Sequence, residues 1–253
     1  MAGEIYVGTD GYNKKEWRDR FYPRDLDEKR WLPFYAEHLN LVELSVSFNR
    51  DVSESDYQRW HEQTGKNFRF AIHGSHVITH VKKLVNVEND IHKFFEDSAA
   101  LREKLGIVVW QFPPDFSLQG NNGIDNKRKL EHFLSILPNT ARHALKFPDD
   151  SWFNDEIRRL LDRYDAAFVT STTPSSPSQH IVNNKFIYIW LHGFDNSGYS
   201  REQLSDLAQR LLPLQVERDI YCVFIADGNG YAIENALELR TLFAAALSAG
   251  SQR

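Results

Sequence analysis

Phe186-Ile187-Tyr188-Ile189-Trp190-Leu191-His192-Gly193 is a near-continuous apolar run that closes on an imidazole and a glycine. A strand buried on both faces, as in a parallel sheet, reads this way rather than as an apolar–polar alternation. Ligands of parallel sheets bind beyond the carboxyl ends of the strands, so a polar residue at such an end stands where chemistry would sit. Seven further runs share the format: Ile5–Gly8, Leu41–Phe48, Phe68–His73, Ile107–Phe112, His143–Phe147, Ala166–Thr170 and Ile220–Ala226. Helical spacing of apolar residues lies between most of them. The patterns cover Glu28–Leu39, Ser53–Gln63 with Ser53 as N-cap, Glu88–Leu105 stopped by Gly106, Asn126–Leu137, Asn154–Tyr164, Ser200–Gln215 interrupted by Pro213, and Ala232–Leu247. Eight strands alternating with helices predict an α/β fold, and eight rather than five or six predicts a closed TIM-type (β/α)8 barrel of parallel strands.

The length of 253 residues suits one such barrel, read as a single domain over 1–253. Thr170 to Lys185 is rich in Ser, Thr and Pro and reads as a loop, so the helix after strand six is expected to be missing or vestigial. Residues 119–123 (Gln-Gly-Asn-Asn-Gly) read as a second loop. A net charge of −5 argues against a broad polyanion-binding surface, while leaving room for a local basic cleft. One cysteine, Cys222, lies in an apolar run, which excludes an internal disulfide framework and suits a reducing compartment. No apolar run approaches the ~18 residues of a membrane span, and the start Met1-Ala2-Gly3-Glu4 lacks the pattern of a signal peptide. A cytoplasmic protein without a membrane partner is expected; the oligomeric state is not readable.

Several pieces, taken in order, resemble the YecE-like family, also called domain of unknown function 72. They are Val7-Gly8-Thr9 with Gly11 and Trp17, Phe21-Tyr22-Pro23, Tyr35-Ala36-Glu37, Val42-Glu43, Phe48, Phe68-Arg69-Phe70-Ala71 and Ile78-Thr79-His80. Lys104-Leu105-Gly106, Gln111-Phe112-Pro113-Pro114, Ser151-Trp152, Tyr188, Leu191-His192-Gly193, Tyr199, Ala232 and Asn235-Ala236 follow. The resemblance implies a TIM-type barrel and carries no established reaction with it. The chain also departs from the family's usual pattern. His73 stands where the family has Lys, Lys146 where it has Glu, Pro148 and Trp190 where it has Arg, Ile225-Ala226 where it has an Asn pair, and Ser45 and Asn49 where it has Asn and Tyr. Either this chain performs different chemistry or it has lost the family's activity.

Strand alternation puts Glu43, Ser45 and Ser47 on one face and the apolar Val42, Leu44 and Val46 on the other, so Glu43 is expected inside the barrel. A buried carboxylate needs a partner, as a structural ion pair or as part of a working site. Lys146 shares a face with Ala144 and Pro148, which makes it an inward cation and the candidate partner. His73, His76, His80, His192 and Glu43 are residue types that bind zinc or manganese, but their spacing matches no ligand motif, and no metal or cofactor is expected. His80 and His192, which match the family motif, are instead read as proton-transfer or anion-contacting groups. Gln111, aimed by Pro113-Pro114, together with Thr9, His73, Trp190, Tyr199, Asp227 and Asn235, is read as substrate-binding, and the Gly-rich turn that Asp227 opens before the last helix as one that exposes backbone N–H groups to an anion.

Three functions compete: an enzyme acting on a small polar or anionic substrate at the carboxyl mouth of the barrel, with Glu43, His80, Lys146 and His192 as catalytic residues; a catalytically degenerate barrel that binds a small-molecule ligand; and a metal-dependent nucleic-acid-processing barrel, which the net charge disfavours. Fold analogy does not separate them.

Overall fold

The computed structural model describes residues 2–120, 126–173, 185–193, 198–225 and 230–250. Eight parallel strands close into a barrel in sequence order: β1 Ile5–Asp10, β2 Leu41–Leu44, β3 Arg69–His73, β4 Leu105–Gln111, β5 Arg142–Lys146, β6 Ala166–Thr172, β7 Ile187–His192 and β8 Ile220–Ile225. β1 pairs with both β2 and β8, so no edge is left open. The expected (β/α)8 architecture is therefore the one observed.

Alternation divides the strand side chains into two cores. Tyr6, Leu41, Ala71, Ile107, Val109, Ala144, Ala167, Val169, Tyr188, Trp190, Tyr221 and Val223 fill the interior. Residues of the opposite parity, among them Val7, Val42, Ile72, Val108, Leu145, Ile189 and Cys222, pack against the helices. Both faces of each strand are thus covered with apolar groups, which is why the strands read as continuous runs. The inward positions at the carboxyl ends of seven strands are polar (Asp10, Glu43, His73, Gln111, Lys146, Ser171 and His192), while β8 ends on the apolar Ile225.

Three expectations about element bounds need correction. The second strand stops at Leu44; Val46–Asn49 forms a single helical turn, and the Ser47 hydroxyl donates to the His73 carbonyl at 2.6 Å instead of lying in the barrel. The helix Glu88–Ser98 gives way to a 3₁₀ segment, Ala99–Lys104, broken at Arg102, whose φ is 50°. Leu105 and Gly106 belong to β4, so Gly106 does not cap that helix. Helix Arg201–Gln215 runs through the exposed Pro213, with Ser200 supplying a capping box at its start. Ser53 caps Glu54–Glu62 as its position predicts, accepting the Asp56 N–H at 3.2 Å. Between β6 and β7 the described residues hold no helix, and residues 174–184 lie outside them. No helix among the described residues is long and apolar enough to cross a membrane.

Candidate functional site

β2 is four residues long, buried throughout, and directs Leu41 and Glu43 inward. Glu43 is 2 % exposed, and its carboxylate accepts three hydrogen bonds. The His73 Nε2 reaches Oε1 at 2.8 Å, and the Trp190 Nε1–H donates to Oε2 at 2.8 Å. The Tyr188 hydroxyl donates to the same Oε2. Tyr188 and Trp190 are two residues apart on β7 and therefore share the inward face. The His73 ring lies parallel to Trp190, with centroids 6.1 Å apart. Burial and the adjacent Glu43 charge hold the Tyr188 hydroxyl well above its ordinary pKa, so it stays a donor. Three charge-assisted donors offset the desolvation that a lone interior carboxylate would suffer. With His73 Nε2 donating, its buried Nδ1 has no partner among the described residues.

Above this hub lies the polar rim. Asp10 ends β1 and is the register partner of Glu43 on β2. It is half-buried, and no hydrogen bond reaches its carboxylate among the described residues. Burial, and secondly repulsion from Glu43, raise its pKa, against the pull of Lys14 and His73. Lys146 on β5 donates to the Ser171 hydroxyl at 2.8 Å and places its ammonium 5.8 Å from the Trp190 ring centre. Burial lowers its pKa. His192, two residues beyond Trp190, meets that ring edge-on at 6.2 Å. Its pKa is lowered by burial and then by Lys146, while Glu43 acts in the opposite direction. Gln111 ends β4 as the register partner of Lys146. The rim therefore holds an acid whose proton is retained upward in pH beside two bases whose protons leave downward in pH, around one mouth.

Other residues singled out in the sequence lie elsewhere or play other parts. Lys146 does not pair with Glu43; its partner is Ser171, and the cationic residue type beside Glu43 is His73. Thr9 faces the helices, where its hydroxyl contacts the Tyr35 hydroxyl at 2.9 Å and donates to the Gly11 carbonyl. Tyr199 donates to the Thr172 carbonyl at 3.0 Å and packs on Phe224, while the Asn235 amide grips both backbone groups of Tyr199. These three positions brace the outer layer because their parity or their helix turns them from the interior. His80 lies in the π-helical turn Val77–Val81, bonded to Thr79. The Phe48 ring stands between it and His73, at 5.2 Å from one and 6.0 Å from the other. His76 is turned to the Phe48 carbonyl. Among the described residues no three His, Cys, Asp or Glu side chains converge on a metal-sized space. Asp227 lies outside the described residues.

Asp10, Tyr188 and Ser171 were not singled out as site residues by sequence reasoning. Asp10 was legible from parity: Tyr6, Gly8 and Asp10 alternate, and extending the first strand by two residues brings the carboxylate to the mouth. Tyr188 carried a signal as well, lying two residues before Trp190.

The model of the protein family described as "Protein of unknown function DUF72" matches residues 6–252. The chain belongs to the DUF72 family. It is 26 % identical over 274 residues to UPF0759 protein YunF of Bacillus subtilis, covering 94 % of each chain. It is 26 % identical to UPF0759 protein YecE of Escherichia coli over 160 residues, 63 % of this chain and 54 % of the relative. A crystal structure of a DUF72 protein from Thermotoga maritima is similar at a TM-score of 0.80 and 24 % identity, over 95 % of this chain and 99 % of that one. An L-ribulose 3-epimerase shares the barrel more distantly, at a TM-score of 0.55 and 11 % identity over 98 % of each chain, a likeness of fold alone.

Proposed function

We propose that this DUF72 protein moves protons on a small polar or anionic substrate at the carboxyl mouth of the barrel, with Asp10 as the acid–base group. The observation that carries the reading is the Asp10 carboxylate, half-buried, free of hydrogen bonds among the described residues and raised in pKa by burial and Glu43. A carboxyl whose pKa is raised by its surroundings holds a proton more readily than an ordinary aspartate, which suits it to acid–base work. Lys146 and His192 stand on β5 and β7 of the same mouth. They supply a cation for the substrate's negative charge and an imidazole that is neutral above its lowered pKa. Glu43 is a positioning residue in this reading, since both its oxygens are occupied by His73, Trp190 and Tyr188. The single, fully buried Cys222 suits a reducing compartment, and we place the activity in the cytoplasm.

The same engagement of Glu43 favours a second reading, a barrel that binds such a ligand without turning it over. Incubating the protein with a panel of small hydroxy acids and sugars in deuterated water separates the two. The acid–base reading expects deuterium to enter carbon-bound positions of at least one compound, and Asp10→Asn to abolish this with the fold intact by circular dichroism. Binding of a compound without exchange supports the second reading. Exchange that survives Asp10→Asn removes Asp10 from the role.

A further inference from the structure

The barrel has a second polar end. At the amino ends of the strands a cavity of about 630 Å³ opens to solvent, within the range of small-molecule sites. Its inner wall is formed by Tyr6 and Tyr221, stacked with centroids 4.7 Å apart, and by the inward side chains of Arg69 and Arg142. The apolar interior, Leu41, Ile107, Val109 and Val223 among it, separates this cavity from the Glu43 hub.

The arginines of the cavity are not equivalent. Arg142 is paired with Asp219 at 2.6 Å, and Arg163 with Glu131 at 3.0 Å. Arg69 has no carboxylate partner among the described residues. Its guanidinium lies 5.7 Å from the Tyr6 ring centre, and its Nη1 donates to the carbonyls of Lys66 and Phe68 at 3.1 and 3.0 Å. Among the described residues no acceptor is given to its Nε and Nη2 donors. Gly106 on β4 makes room for the Arg69 stem, since a Cβ there would lie 3.3 Å from the Arg69 Cβ. A guanidinium that served only to plug the barrel would be expected to carry an acid, as Arg142 does. The Tyr6 and Tyr221 hydroxyls, raised in pKa by burial, remain protonated and add donors to the wall.

We propose that this amino-end cavity binds a small ligand bearing an oxyanion, phosphoryl or carboxylate, with Arg69 as the principal contact and Arg142 as the second. The cavity is also lined by Asp165 and Asp219, and within it Arg69 offers a planar fork of donors with no acid of its own among the described residues, the arrangement that recognises such groups. The site does not depend on the chemistry of the opposite mouth.

Isothermal titration of the full chain with inorganic pyrophosphate and with citrate, at ionic strength held constant with sodium chloride, tests the assignment. Saturable binding of at least one probe is expected, and the probe that binds tells the phosphoryl source from the carboxylate one. Arg69→Gln should weaken it about tenfold or more, the effect of losing one charge-assisted contact. Arg69→Lys should weaken it less, and it carries the test if Arg69→Gln does not fold. Lys93→Gln, on the outer helix Glu88–Ser98, should leave binding unchanged, and Lys146→Met tells this site from the opposite mouth. The proposal is overturned if neither probe saturates, if both Arg69 variants bind as the parent does, or if Lys146→Met is the variant that abolishes binding.

Discussion

Removing the Glu43 carboxylate would leave His73, Trp190 and Tyr188 with donors aimed at nothing, in a region closed to water. Unsatisfied buried partners of a charged group are among the larger single-residue penalties. Glu43→Ala is therefore expected to lower stability by about 3–5 kcal/mol in denaturant melts. Lys146→Met, which gives up one contact to Ser171 in a half-buried place, should lower it by about 1 kcal/mol or less. In the double variant Glu43→Gln with Lys146→Met the two effects should add, because the side chains share no partner; recovery in the double would show that they do meet. The Asp10 carboxyl offers a second check. Because Glu43 repulsion is the second cause of its raised pKa, Glu43→Gln should move the Asp10 titration, followed by carboxyl-carbon NMR, down toward its ordinary value of 3.8. An unchanged midpoint would mean that burial acts alone. The inward face of Glu43 was legible in the sequence because parity along one strand is a local property. Its partner was not, because alternation names a face and says nothing of which strand across the barrel supplies the neighbour. Lys146 and His73 both satisfied the parity rule, and only the closed geometry separates them.

At the scale of the element, the mouth depends on how closely β1 and β2 approach. Gly8 faces the interior between Tyr6 and Asp10, and a Cβ there would lie 1.9 Å from the Leu41 carbonyl oxygen. Gly8→Ala must push the two strands apart just below the Asp10–Glu43 pair, where the Gly11 N–H bonds the Glu43 carbonyl at 2.8 Å. A loss of about 2–3 kcal/mol is expected from crowding of this kind, along with a shift of the Asp10 titration. A variant as stable as the parent would show that the pair tolerates the wider spacing. Element identity was readable because buried parallel strands and amphipathic helices differ in period. Element ends were less readable where local geometry overrides period. The run Leu41–Phe48 keeps strand-like alternation, yet the chain turns at Ser45, and Ser47 closes onto the His73 carbonyl. Arg102, with its positive φ, ends a helical pattern that apolar spacing alone would carry on to Leu105. N-caps were better behaved than the stop expected at Gly106, because the signal and the bond lie within three residues, as at Ser53. The Ser200 hydroxyl and the Gln203 side chain satisfy each other's backbone N–H groups, and Ser200→Ala is expected to cost about 1 kcal/mol in thermal or denaturant melts.

For the molecule as a whole, the response to acid follows from histidines held neutral by the fold. His143 lies between the strands and the helical layer, buried, with Trp110 Nε1–H donating to its Nδ1 at 3.2 Å. Its Nε2 then carries the hydrogen and donates to the Pro138 carbonyl at 2.9 Å. Both ring nitrogens are thus satisfied in the neutral form, and burial pushes the pKa from an ordinary 6.5 down to about 4. His192 and His80 are lowered as well, each mainly by burial. Above pH 6.5 none of these groups penalises the fold. As pH falls below 6.5, the unfolded chain takes up protons that the native state refuses, and stability declines until the native His143 protonates near pH 4. One group displaced this far is worth about 3 kcal/mol over that window. Because His143 is the most enclosed of the three, it should dominate the slope. His143→Gln preserves an acceptor for Trp110 and a donor for Pro138 while removing the titration. Its unfolding free energy should therefore fall much less than the parent's between pH 7 and pH 4.5, measured by urea melts across that range. A variant that loses stability as steeply as the parent would assign the acid response to other groups, with the surface carboxylates first among them.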